Sequence, residues 1–223
     1  MSNLSLENIV KLHGLLGIRT GNAHKPPREG GTTGALVAGL LSQNTNDNNR
    51  DLGYARLWAR FGDWAAVAGA EIGEIAEAIR PAGMMHQRAP RIKALLEAIY
   101  RREGSYSADF LLGIPPAEAF EWLNSRDGIG EKTAAVFLLF HTGARYFPVD
   151  THIRRILCRI GFFPEGSSAI EIQRRMTELC PSNLMMDLHL NIIDLGKKLC
   201  RPQKPRCNEC ELADFCYFAN LRE

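Results

Sequence analysis

The chain has 223 residues, 45% of them hydrophobic and 23% charged, a composition near the globular average that excludes a disordered, collagenous or fibrous protein. Its 27 Lys and Arg against 25 Asp and Glu leave a formal net charge of +2, so the whole-molecule field identifies no partner and only local clusters of charge can. That length suits one large domain or two small ones.

No apolar run approaches the ~20 residues of a membrane span. The opening stretch, MSNLSLENIVKLHGLLGI, lacks the basic region and A-x-A site of a signal peptide, and its apolar residues recur at helical spacing. A soluble, cytoplasmic chain without membrane association is the expectation. The segment Arg19 to Gly34 (RTGNAHKPPREGGTTG) is rich in proline and glycine, which predicts a linker or extended loop and no helix.

Beyond it the periodicity is helical almost throughout. Ile72, Ile75, Ala76 and Ile79 recur at spacings of three and four, as do Ile92, Leu95, Leu96 and Ile99, and later Leu184, Leu188, Ile192 and Leu195. No stretch alternates long enough to demand a strand. Short helices joined by turns such as RPAGMM and LLGIPP are expected, with a break near Gly143 to Pro148. Ser168 with Glu171 forms a capping-box pattern, and Pro181 predicts a helix stop near Cys180.

Residues 126–140 read RDGIGEKTAAVFLLF. Two glycines allow a tight turn and a close approach by another molecule, and the N–H groups opening the next helix form a natural phosphate site. An ordinary turn between antiparallel helices explains the same residues. Lys132 falls in the first turn of that helix, where the macrodipole disfavours a cation by roughly 0.3–1 kcal/mol. A neutral amine is what nucleophilic attack and Schiff-base chemistry require, although a solvated lysine tolerating the penalty is commoner. Asp150, in VDTH, precedes another helical pattern and needs no purpose beyond an N-cap. Phe147, Pro148 and Val149 also lead it through apolar surroundings, and His152 reads as a plain helix residue.

Lys197, Lys198, Arg201, Lys204 and Arg206 form an acid-free run that suits either a phosphate-facing patch or a solvated helix end. Four cysteines crowd the same region as C-x6-C-x2-C-x5-C, at Cys200, Cys207, Cys210 and Cys216. In a chain without a secretion signal such crowding points to metal rather than disulfides. Zinc and a [4Fe–4S] cluster both take four thiolates, and spacing does not separate them. Cys158 and Cys180 lie in helical patterns and read as small hydrophobes.

The hairpin with Lys132, the VDTH at Asp150 and the four terminal cysteines, in that order, resemble endonuclease III and related DNA glycosylases, the helix-hairpin-helix family with an iron–sulfur loop. The likeness runs from LLSQNTND at Leu40 to Cys216. It implies an all-α fold of two lobes: a six-helix barrel module with the hairpin over residues 33–144, and a [4Fe–4S] cluster lobe built from 1–32 and 145–223. It further implies Lys132 as nucleophile, Asp150 as its assisting carboxylate across the interlobe cleft, and the four cysteines as cluster ligands.

The activity so implied is base-excision repair by a monomeric, cytoplasmic, nucleoid-associated bifunctional DNA glycosylase and lyase. It would act on damaged pyrimidines, oxidised ones foremost, or abasic sites in double-stranded DNA. Gly128 and Gly130 would hold a phosphate through their amides, Lys204 and Arg206 would contact DNA, and Met84 with Gln43 or Asn44 would fill the space left by an extruded base. The sequence departs from the family pattern at Asp127, where proline is usual, at Glu131, where a basic residue is common, and in LSQNTND against L-S-A-Q-A-T-D. A mismatch-directed thymine or uracil glycosylase and a non-catalytic helix-hairpin-helix DNA-binding module are the alternatives.

Overall fold

Ser5 accepts a hydrogen bond from the Asn8 amide at 3.2 Å and so caps the first helix, α1 (Leu6–Leu16), which turns Ile9, Leu12 and Leu16 inward. The computed structural model describes residues 3–17 and 29–221, and all regular structure among them is helical. After α1 come α2 (Gly31–Leu41), α3 (Asp47–Phe61), α4 (Trp64–Gly69), α5 (Ile72–Ala78), α6 (Met85–Glu103), α7 (Phe110–Gly113), α8 (Pro116–Asn124) and α9 (Glu131–Phe137). A π turn at Leu138–Thr142 ends that series, and α10 (Thr151–Arg159), α11 (Ala169–Leu179), α12 (Ser182–Lys198) and α13 (Tyr217–Asn220) follow. No described helix is long and apolar enough to cross a membrane. The chain divides into two units: Lys25–Thr142, and Met1–His24 joined to Gly143–Glu223.

In the unit Lys25–Thr142, α2 packs against α3, α6 and α9, and α5 lies along α6. Ile92, Leu95, Leu96 and Ile99 are all at most 2% exposed, each such burial contributing on the order of 1.5–3 kcal/mol before entropy is counted. The α5 stripe is narrower than its spacing suggests: Ile75, Ala76 and Ile79 are buried while Ile72 is 45% exposed.

The linker expected over Arg19 to Gly34 lies outside the described residues for positions 19–28, and its last four residues are helical instead. The reason is packing. The Glu29 carbonyl accepts from Tyr54 Oη and the Gly30 carbonyl from Trp64 Nε1 at 2.9 Å. Thr33 Oγ1 donates to the Tyr106 carbonyl at 2.6 Å and accepts from Ala108 N at 3.0 Å. A Cβ at Gly34 would collide with Tyr54 Oη and the Glu29 carbonyl. Glycine there makes room for an aromatic ring within the helix.

In the other unit, α12 packs against α1 and α10, burying Leu188, Ile192 and Leu195. Gly196 permits the close approach, since a Cβ there would lie 2.7 Å from His152 Nδ1. Ser168 caps α11 by accepting from Glu171 N at 3.1 Å, and the helix stops at Leu179 before Cys180 and Pro181. The segment after α12 is irregular, with single turns at Cys207–Glu209 and Ala213–Phe215, and Leu212 as its buried apolar residue.

Candidate functional site

The G-I-G hairpin joins α8 to α9. Ile129 is a buried peg between the glycines, 2% exposed, and its amide closes the turn on the Arg126 carbonyl at 3.0 Å. Gly128 holds φ +82°, and a Cβ there would lie 2.7 Å from Arg91 Cδ and 3.1 Å from Leu40 Cδ2. Gly130 differs: its φ is −87° and a Cβ would meet nothing within 4 Å. Asp127, the departure from the family pattern, pairs with Arg91 Nε at 3.2 Å.

Lys132 is the second residue of α9, exposed, and without hydrogen bond or ion pair among the described residues. Thr133 beside it packs on α2, its Cγ2 being 3.2 Å from where a Cβ at Gly39 would stand.

The loop after α2 and the turn before α6 come together in the same unit. Gln43 Nε2 donates to the Gly128 carbonyl, so its side chain is spent inside the protein. Asn44 is exposed, has φ +48°, and its Nδ2 lies 3.8 Å from Met84 Sδ. Met84 also has φ +48° and is 41% exposed, so it is no core residue.

Beneath them Arg88 is 1% exposed. Its Nη1 donates to the carbonyls of Ala82 at 2.5 Å and Gly83 at 2.9 Å, and its Nη2 to that of Gln43. Burial first, and Arg91 second, pull its pKa below the usual range. Sequence reasoning missed Arg88, although its position four residues before Ile92 places it on the buried stripe of α6.

Asp150 lies in the second unit as the N-cap of α10, half-buried, with Oδ1 accepting from Ile153 N at 2.8 Å. Its other oxygen makes no hydrogen bond among the described residues. Lys132 and Asp150 therefore belong to different units. The apolar approach to Asp150 is fixed by His189, buried in α12 and 3.1 Å from the Pro148 carbonyl through Nδ1. A carbonyl only accepts, so Nδ1 carries the proton. His152 is structural, as its reading as a plain helix residue has it: Arg155 Nη2 donates to its Nδ1 at 3.0 Å and its ring lies against Gly196.

Cys200, Cys207, Cys210 and Cys216 line one small pocket, with Arg159 Nη1 3.3 Å from Cys200 Sγ. Burial pushes the Cys216 thiol up, against the backbone amides of Ala219 and Phe218 that pull it down, and Cys200 and Cys210 add smaller upward pushes. Among the described residues no three His, Cys, Asp or Glu side chains converge on a point that would hold a single metal ion. The four cysteines share the lining of that pocket without meeting at such a point. Burial pushes Cys180 up to about 12, so it stays a neutral thiol, as a small hydrophobe should.

Lys204 is exposed, with φ +48°. Arg206 is partly spent, its Nη1 3.0 Å from Glu209 Oε2 and its Nη2 3.1 Å from the Lys198 carbonyl. A cavity of ≈ 750 Å³ beside α10 includes Arg154, Arg155, Cys158 and Arg159 but neither Lys132 nor Asp150, and its guanidiniums brace backbone carbonyls.

A family model described as HhH-GPD superfamily base excision DNA repair protein matches residues 37–182, which take in the loops, hairpin, Lys132 and Asp150 but stop short of the four clustered cysteines. Endonuclease III of Sulfolobus acidocaldarius is 32% identical over 191 residues, 84% of this chain and 83% of that protein. The DNA glycosylase/AP lyase ROS1 of Arabidopsis thaliana is 31% identical over 71% of this chain, which spans only 13% of that longer protein. Among solved structures, a trapped endonuclease III–DNA covalent intermediate superposes with a TM-score of 0.83 at 23% identity, covering 98% of this chain and 99% of that one. At that identity the likeness is one of fold.

Proposed function

The chain belongs to the HhH-GPD superfamily of base excision DNA repair proteins, and on that footing we propose that it is a bifunctional DNA glycosylase and abasic-site lyase. It removes damaged bases, oxidised pyrimidines among them, from duplex DNA. The observation that carries the reading is the exposed Lys132 in the first turn after the hairpin, unpaired among the described residues, in a chain that also holds Asp150 at a helix N-cap with one oxygen uncommitted among those residues.

A base stacked in duplex is out of reach, so the enzyme takes it out of the stack at a cost of a few kcal/mol, less for a lesion that already stacks poorly. Met84 and Asn44 fill the vacated space. Asn44 takes this part because Gln43 already serves Gly128. The amides around Gly128 and Gly130 hold a phosphate and fix the register. As the glycosidic bond loosens, positive charge grows on the sugar and the Asp150 carboxylate stabilises it. The Lys132 amine, having given up its proton, bonds to the anomeric carbon and the base leaves with the bonding electrons. The nitrogen then sheds a proton to O4′ as the C1′–O4′ bond of the sugar ring opens, leaving a protonated imine at C1′ that acidifies C2′; loss of the C2′ proton expels the 3′ phosphate and nicks the strand. An oxygen nucleophile would give no imine, so the lysine determines the lyase step.

Residues 33–144 are the barrel module on this reading, and 1–32 with 145–223 the cluster lobe. The four sulfurs around one pocket fit a [4Fe–4S] cluster, which would supply a cross-link to a loop that has little apolar burial of its own. Lys204 and Arg206 lie on that loop and add contacts to the DNA backbone.

Borohydride trapping tests the chemistry. Duplexes bearing an abasic site, thymine glycol or a G·T mismatch are incubated with the protein and reduced. A covalent adduct is expected with wild type and none with Lys132→Gln. Asp150→Asn keeps an N-cap residue of equal quality, so it folds normally and releases base slowly. Equal trapping by Lys132→Gln removes the lysine from the mechanism, and base release without nicking turns the reading to a mismatch-type monofunctional enzyme. Iron and brown colour in the purified protein, lost in Cys207→Ser but kept in Cys180→Ser, test the cluster; zinc in place of iron overturns it.

A further inference from the structure

We propose that Arg88 is a positioning residue for base extrusion, locking the two loops that bear Asn44 and Met84 into one preorganised tip; this rests on the glycosylase reading above. A guanidinium is almost never fully buried without a carboxylate. Arg88 is 1% exposed, and among the described residues it has no acidic partner and its buried Nε no hydrogen-bond partner. A side chain kept only for stability would not leave a donor unsatisfied in the interior, where the lost solvation of that group is not repaid.

What the guanidinium does instead is join two loops. Its Nη2 takes the Gln43 carbonyl and its Nη1 the carbonyls of Ala82 and Gly83. Asn44 follows Gln43 and Met84 follows Gly83, and these two hold left-handed backbone, each with φ +48°. For a residue with a Cβ that conformation is strained, and it persists only where surrounding bonds over-determine it. Arg88 grips the peptide unit entering each strained residue. The Gln43 side chain extends the lock to the hairpin through the Gly128 carbonyl, so loop, turn and hairpin are held by one chain of bonds centred on Arg88.

Filling the hole left by a base needs two side chains presented together at the right height. Thermal spread of either loop would spend part of the binding free energy on ordering it. A planar fork with five donors reaches carbonyls on two loops at once; an ammonium on a flexible stem does not.

The test compares Arg88→Lys and Arg88→Met with wild type on two substrates. One is duplex DNA with a lesion opposite 2-aminopurine, read by single-turnover base release and by the fluorescence rise on unstacking. The other is a single-stranded abasic oligonucleotide, read by borohydride trapping, which has no stack to open and no hole to fill. Expected for both variants, with native circular dichroism, is a loss on the order of 10- to 100-fold in base release with a reduced fluorescence amplitude. Single-strand trapping should stay within about twofold of wild type. A parallel fall on both substrates, or wild-type release by Arg88→Lys, overturns the positioning role. Absence of any adduct with wild type instead removes the glycosylase reading and this role with it.

Discussion

The two glycines of the hairpin are alike in sequence and unlike in cause. Gly128 is fixed from within, by its φ of +82° and by Arg91 and Leu40 where a Cβ would go. Gly130 has ordinary extended backbone and open space around it, so nothing among the described residues forbids a side chain there. Gly128→Ala is expected to destabilise the fold by at least the ~1–2 kcal/mol of left-handed backbone, seen as a lower midpoint in urea. Gly130→Ala should keep the wild-type midpoint and lose affinity for duplex DNA in a binding titration, because the methyl group would stand where a phosphate oxygen approaches the amides. Equal affinity of Gly130→Ala and wild type would take the hairpin out of the phosphate-binding role. At the same scale, Asn44 and Gln43 could not be ranked from their letters. What separates them is that one side chain is consumed by the Gly128 carbonyl and the other sits on a left-handed residue, both consequences of contacts with residues some 40 to 85 positions away.

At the scale of elements, the long amphipathic stripes of α6 and α12 were legible because burial of one face imposes the 3.6-residue period directly. The N-caps at Asp150 and Ser168 were legible for a local reason, since a short oxygen-bearing side chain satisfies an amide three residues on. Gly31–Gly34 was not, because glycines that make room for Tyr54 look the same in sequence as glycines that break a helix. The π turn at Leu138–Thr142, where Thr142 Oγ1 donates to the Leu138 carbonyl at 2.7 Å, also carries no advance signal. Arg88 was missed for a physical reason: a cation on a helix is presumed solvated, and its burial depends on three carbonyls that converge only after the loops fold. Arg91, one turn further along α6, shows the ordinary alternative, pairing with exposed Asp127 at a site worth about 0–1 kcal/mol.

For the whole molecule, a net charge of +2 cannot by itself draw a polyanion, so affinity for DNA has to come from cations left uncommitted at the right places. The basic run after α12 is less available than its sequence suggests: Lys198 pairs with Asp194 at 2.9 Å and Arg206 with Glu209 at 3.0 Å. Lys204 makes no such pair among the described residues and stands exposed on a left-handed turn of the cysteine loop. The two residues should therefore part company under mutation. Lys204→Ala is expected to weaken duplex binding evenly across sequences and to reduce the slope of log K against log salt by about 0.9, the release of one phosphate's counterion. Arg206→Ala should change that slope little and act on the loop instead, loosening the Lys198 carbonyl and the turn at Cys207–Glu209, with earlier proteolytic cleavage between residues 199 and 216. Binding titrations at several salt concentrations separate the two. An unchanged slope in Lys204→Ala would mean that the cysteine loop stays clear of the DNA, leaving the loops around Asn44 and Met84 and the hairpin as the surface that engages it.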